Sequence, residues 1–181
     1  EREDAALAAK ISAADGCFRL DADLDDSPTL NYLRDTIGFL TYLLDHGFSG
    51  IYDPFMLRYW SKETWRRDVF DPAGPVPRQH VVTLVGQDGP DTEWFHTRGM
   101  RKFGRPDLSV RSTPPKHRDA VIQLIDRFIE MQAFGGLIDD GREIEIRDLP
   151  SGMLCHHRGE LDDPDFNNVH VEIEWPKGEN Q

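Results

Sequence analysis

Residues 27–47, Ser27-Pro28-Thr29-Leu30-Asn31-Tyr32-Leu33-Arg34-Asp35-Thr36-Ile37-Gly38-Phe39-Leu40-Thr41-Tyr42-Leu43-Leu44-Asp45-His46-Gly47, hold the strongest local signal in the chain. Ser27 supplies a hydroxyl suited to an N-cap, and Pro28 at the first helical position has no N–H to leave unsatisfied. Leu30, Leu33, Ile37, Leu40 and Leu44 recur at helical spacing and so line one face, while Gly47 can take the left-handed conformation that ends a helix. The spacing predicts a helix over 28–45. Ahead of it, Cys17, Phe18, Leu20, Ala22 and Leu24 interleave with polar residues, and behind it Gly50-Ile51-Tyr52 is a short apolar run; both read as strands.

The same order returns downstream. Leu108 and Val110 mark a strand, Thr113-Pro114-Pro115 punctuates it, and Val121, Leu124, Ile125, Phe128 and Ile129 form a second amphipathic face stopped by Gly135-Gly136. Arg142 to Arg147 then alternates charge with Ile144 and Ile146, as a half-buried strand does. The expectation is an α+β fold with a mixed or mainly antiparallel sheet, packed by two main amphipathic helices and built from two strand–helix–strand units that share that sheet. Elsewhere, Ser61 caps a short helix through Trp65 and Val69, and Pro72, Pro75 and Pro77 enforce a surface loop. His80 to Val85 reads as a buried strand, in a hairpin with Glu93 to Thr97. Met153 to Gly159 and Val169 to Trp175 read as strands joined by the acidic loop Asp162-Asp163-Pro164-Asp165.

A chain of 181 residues suits a single domain over 1–181, and 38% hydrophobic residues disfavour disorder. The net charge of −12 repels nucleic-acid phosphate and anionic membrane surfaces, so neither is an expected partner. Two cysteines make no disulfide scaffold, no run of residues is apolar for long enough to span a bilayer, and no basic segment leads into an apolar one; a cytoplasmic setting is expected.

Charge is unevenly placed. Residues 139–181 carry 12 acidic against 4 basic residues, and 1–30 carry 8 against 3, whereas Arg98, Arg101, Lys102, Arg105, Arg111, Lys116 and Arg118 form a basic belt broken only by Asp107. Arg side chains near Gly99 and Gly104 can hold a carboxylate or phosphate bidentately, which makes His96, Arg98, Arg101, Lys102 and Arg105 candidates for anion binding. The alternative is that these cations are solvated or pair with the acidic termini. Asp162, Asp163 and Asp165 are candidates for binding a basic partner.

Catalytic signatures are missing. There is no G-x-S-x-G, no P-loop and no dinucleotide fingerprint. Cys155, His156, His157 and His170 stand near several carboxylates, but adjacent strand residues point to opposite faces and no metal-ligand spacing is present, so no metal or cofactor is expected. Glu172 and Glu174 share one face of an amphipathic strand and are expected to meet solvent.

The segment Thr97-Arg98-Gly99-Met100-Arg101-Lys102-Phe103-Gly104-Arg105-Pro106-Asp107 resembles a Thr-x-Gly-Met/Leu-x-x-Phe-Gly-x-Pro-Asp/Glu pattern of uncharacterised bacterial domains. It is also similar to a segment of suppressor-of-fused-like domains, some of which serve as immunity proteins in bacterial toxin systems. The resemblance implies a binding role and transfers no catalytic residue. Read physically, the segment is a strand end, a tight turn at Gly99, one helical turn burying Met100 and Phe103, and a stop at Gly104 and Pro106. The expected function is a non-enzymatic domain binding a basic macromolecule through acidic surfaces. The alternative is a hydrolase or transferase acting on a small anionic substrate around His96, Arg98 and Arg101, with His96 as general acid or base.

Overall fold

Helix α2 (Asn31–Asp45) begins three residues later than its sequence signal. Ser27 Oγ accepts from the Thr29 N–H at 3.3 Å, closing a local turn instead of capping the helix, and Leu30 takes the cap position with no side-chain bond. The computed structural model describes residues 2–23 and 25–176, which gather into two compact units, 1–79 and 80–181. Leu24, and the polar tail from Lys177 onward, lie outside the described residues.

In the first unit, helix α1 (Arg2–Ser12) and α2 accompany a two-stranded antiparallel sheet of β1 (Ile51–Asp53) and β2 (Arg58–Trp60). The strand expected around 17–24 does not form among the described residues; residues 17–23 are irregular and exposed. Its alternating pattern has no neighbouring strand to pair with, and an unpaired strand leaves its backbone groups unsatisfied. Ser61 caps α3 (Lys62–Trp65) in a reciprocal capping box with Thr64, and the chain continues as a wider π-type turn over Arg66–Phe70. Leu33, Ile37, Leu44, Trp60, Trp65 and Val69 form this unit's core, and Trp65 Nε1 donates to the buried Thr41 hydroxyl at 2.8 Å.

The second unit holds a mixed six-stranded sheet: β3 (Val82–Gly89), β4 (Thr92–Arg98), β5 (Asp107–Thr113), β6 (Glu143–Ile144), β7 (Met153–Arg158) and β8 (His170–Glu174), in spatial order β3-β4-β5-β8-β7-β6. All pairings are antiparallel except β5 with β8. The hairpin β3–β4 is as the sequence predicts, but β3 is an exposed edge from Leu84 to Gln87, not a buried strand. The strand expected over 142–147 shortens to Glu143–Ile144. The two sheets are separate, so no shared sheet unites two strand–helix–strand units.

Register sorts the sheet's side chains cleanly. Phe95, Leu108, Val110, Cys155, Val171 and Ile173 fall on one face, all fully buried, with Val121, Leu124, Ile125 and Ile129 of helix α4 (Arg118–Ala133) as their partners in the core. Trp94, His96, Ser109, Arg111, His156, His170, Glu172 and Glu174 fall on the other.

Candidate functional site

The corner between β4 and β5 is built by the residues that carry the sequence resemblance. Gly99 has φ +123°, and a Cβ there would sit 2.4 Å from the His80 carbonyl oxygen, so only glycine fits. Met100–Phe103 forms one 3₁₀ turn with Met100 and Phe103 buried, and Gly104 at φ +65° ends it. The ends of the motif meet: Thr97 Oγ1 donates to Asp107 Oδ1 at 2.8 Å and accepts from the Leu108 N–H at 2.8 Å. The fully buried Asp107 carboxyl also accepts from the Met100 N–H at 3.2 Å and from Asn168 Nδ2 at 2.9 Å. Burial pushes its pKa up to about 6 against the opposing pull of those donors.

The basic belt is part of this architecture. Arg98, buried on β4, donates from Nη1 to the carbonyls of Asp165 at 2.6 Å and Pro164 at 3.2 Å. Arg101, exposed on the 3₁₀ turn, donates to the carbonyls of Leu161 and Asn167, both at 3.0 Å. Two guanidiniums thus grip the acidic loop by four backbone oxygens. Arg105 is buried and donates to the Gly104 carbonyl at 3.1 Å, and Lys102 lies half-buried on the same turn. Arg111 pairs with Asp88 and Arg118 with Glu93, partners on the hairpin and not the acidic termini.

The gripped loop turns its acids to different uses. Asp163 accepts the N–H groups of Asp165 and Phe166 on Oδ1 at 2.9 and 3.3 Å, forming the turn that delivers Phe166 to the sheet. Asp162 and Asp165 remain exposed. Phe166 is buried and stacks on His170 with centroids 3.9 Å apart, edge-on to His96 at 5.5 Å and to Trp94 at 6.2 Å. Trp94 stacks on His96 at 4.0 Å and carries the Arg111 guanidinium 3.9 Å above its ring. These contacts make one continuous stack from Arg111 to His170.

Burial holds both imidazoles of this stack below the usual histidine range, opposed by Asp165 at His96 and by Asp163 at His170. Nδ1 of each is buried without a hydrogen-bond partner, which suits neutral rings. Glu172, expected in solvent, is instead half-buried beneath the stack. Ser109, which accepts from Trp94 Nε1 at 2.9 Å, hydrogen-bonds its carboxylate, and burial raises its pKa. Trp94, Ser109 and Phe166 escape the sequence reading, and His170, weighed there only as a metal ligand, stands instead in the aromatic stack. The alternation of Trp94, His96 and Arg98 along β4 is the one signal that marks the face.

Chemically, this arrangement positions a loop. Cys155 lies on the core face, where burial pushes its thiol up to about 11 and keeps it protonated. His156 and His157 point to opposite sides, His156 toward Asp140 and Glu174 at 3.8 and 3.6 Å, and His157 Nε2 to the Ile138 carbonyl at 2.7 Å. Among the described residues no group of three or more His, Cys, Asp or Glu side chains converges as metal ligands. Two clefts of this unit, one between Val85, Glu93 and Arg118 and one between Lys116, Arg127 and Arg147, contain neither His96, Arg98 nor Arg101. Compared with family models, with curated proteins and with solved structures, the chain matches none of them.

Proposed function

We propose that this chain is a macromolecule-binding domain, without a reaction of its own, that takes a basic protein partner on the carboxylates of residues 139–165, in the manner of an immunity or regulatory protein. One observation carries the reading. Asp139, Glu143, Glu145, Glu160, Asp162 and Asp165 are exposed, and among the described residues none of them pairs with a lysine or arginine, whereas Asp88 and Glu93 at the other end of the sheet are each matched by an arginine. An uncompensated acidic surface attracts a basic partner over a distance of about 10 Å at moderate salt and speeds encounter. The net charge of −12 turns nucleic acid away, and no helix among the described residues is long and apolar enough to cross a membrane. Unpaired Cys17 and Cys155 suit a reducing compartment such as the cytoplasm.

The enzymatic alternative requires His96, Arg98 and Arg101 to converge on a substrate. Arg98 and Arg101 already direct hydrogen bonds to the chain's own loop, which favours the binding role. The test is affinity capture from the source cells with the chain as bait, beside the variant Asp139→Asn, Asp162→Asn, Asp165→Asn. The expected result is a basic protein retained at low salt, released at high salt and lost from the variant. Retention indifferent to salt and to the substitutions contradicts the proposal.

A further inference from the structure

Helix α2 has a second apolar face. Its inner stripe, Leu33, Ile37, Thr41 and Leu44, is buried. On the outer side Phe39 is 41% and Tyr42 56% exposed, and the His46 ring lies 3.9 Å from that of Tyr42. Positions 39, 42 and 46 follow helical spacing and run about 10 Å along the axis. Phe18, itself 55% exposed, sets its ring edge-on to Phe39 at 5.7 Å and widens the stripe. Gly38 leaves open space beside it, where an added Cβ would meet nothing within 4 Å. A surface helix with one buried stripe ordinarily turns polar residues outward, and this one turns aromatic rings outward.

The segment that carries Phe18 is strongly acidic. Asp15, Asp21, Asp23, Asp25 and Asp26 are all exposed, and the one cation of residues 13–27, Arg19, is bound to Asp21 at 2.6 Å. The geometry points to a docking surface for a basic amphipathic helix. Its apolar side chains pack at matching spacing on Phe39, Tyr42 and Phe18, and its lysines and arginines lie along the aspartates of 15–26. Charge selects this occupant over a second copy of the chain, because two copies would bring two acidic segments together. The inference rests on the reading of the protein as a binder of basic partners and names a surface and partner shape that the carboxylates of 139–165 do not specify.

The experiment titrates the isotope-labelled full chain with a synthetic amphipathic helix of leucine and lysine, followed by amide chemical shifts at low and high salt. The expected shifts concentrate at residues 18–23 and 36–46 and shrink with salt. Phe39→Ser with Tyr42→Ser weakens binding by at least about tenfold while resonances of 80–181 stay in place. Asp21→Asn, Asp23→Asn, Asp25→Asn, on an exposed segment outside any helix or strand, weakens binding without touching the rings and keeps the test independent of the helix variant's folding. Shifts confined to 139–165, with both variants binding like the parent, overturn this inference and leave the proposed function standing. No binding, or binding indifferent to salt, overturns it as well, and the capture experiment then judges the broader reading separately. Self-association of the free chain, abolished by Phe39→Ser with Tyr42→Ser, assigns the stripe to a second copy and also overturns the inference.

Discussion

Residues 97–107 and residues 139–165 are both rich in charge, and the fold uses that charge in opposite ways. In the first region Arg98, Arg105 and Asp107 are buried, and Arg98 and Asp107 are bound by several hydrogen bonds each. In the second, Asp139, Glu143, Glu145, Glu160, Asp162 and Asp165 face solvent without a cationic partner among the described residues. Charge inside a corner fixes geometry, because a buried ionic group left unpaired is costly. Exposed and uncompensated charge fixes little within the chain, and its energy is realised when a partner arrives. The two regions meet where Arg98 and Arg101 hold the loop that carries Asp162 and Asp165. Two arginines of the basic belt thus hold one part of the acidic region.

The largest effect is expected at Asp107. Asp107→Ala leaves the Thr97 hydroxyl, the Met100 N–H and one Asn168 Nδ2–H short of their acceptor in the interior, and is expected to cost about 3 kcal/mol or more in denaturant unfolding. A loss within about 0.5 kcal/mol, the range of surface substitutions, would show that the corner does not depend on its carboxylate. Arg98→Ala should cost about 1–3 kcal/mol and speed amide exchange across 161–167, since a buried charged donor leaves two carbonyls. Gly99→Ala, forced into positive φ against the His80 carbonyl, should cost a similar amount, about 1–3 kcal/mol.

Acid sharpens the contrast without any substitution. His96 and His170 titrate below 6.5 in the folded chain, so the unfolded chain binds more protons there. Their contribution to stability is complete above about pH 6.5 and is lost as pH falls through that value. Asp107 works in the other direction: raised from 3.8 to about 6, it holds a proton that the unfolded chain releases, so its contribution grows as pH falls through that interval. The wild-type curve should therefore carry a falling histidine component below pH 6.5, set against the Asp107 rise. His96→Gln with His170→Gln should remove that fall and expose a rise between about pH 6 and pH 4. Superposable curves would place the histidine sensitivity elsewhere. The smallest effect on stability is expected from Asp162→Asn with Asp165→Asn, within about 0.5 kcal/mol.

The corner is legible in the sequence because its signals are local. Gly99, Gly104 and Pro106 each restrict the backbone at their own position, and Met100 and Phe103 are spaced for one turn. The amphipathic spacing of α2 and α4 and the hairpin β3–β4 are legible for the same reason. The segment 17–24 misleads because alternation describes a strand only where a neighbour exists. Glu172 misleads because its surroundings come from Ser109, reached through the parallel pairing of β5 with β8, and from Trp94 beyond that. Arg98 and Arg101 look like ligands of an outside anion because sequence spacing cannot show that their acceptors lie some 60 residues downstream, in the chain's own loop.

We propose that the exposed carboxylates of 139–165 steer a basic partner. It is tested most directly by the association rate of the captured partner with the wild type and with Asp139→Asn, Asp162→Asn, Asp165→Asn across a range of ionic strength. Steering gives a wild-type rate that falls steeply as salt rises and a variant whose low-salt rate approaches the wild type's high-salt value. Parallel curves with the same slope, for wild type and variant alike, would contradict it.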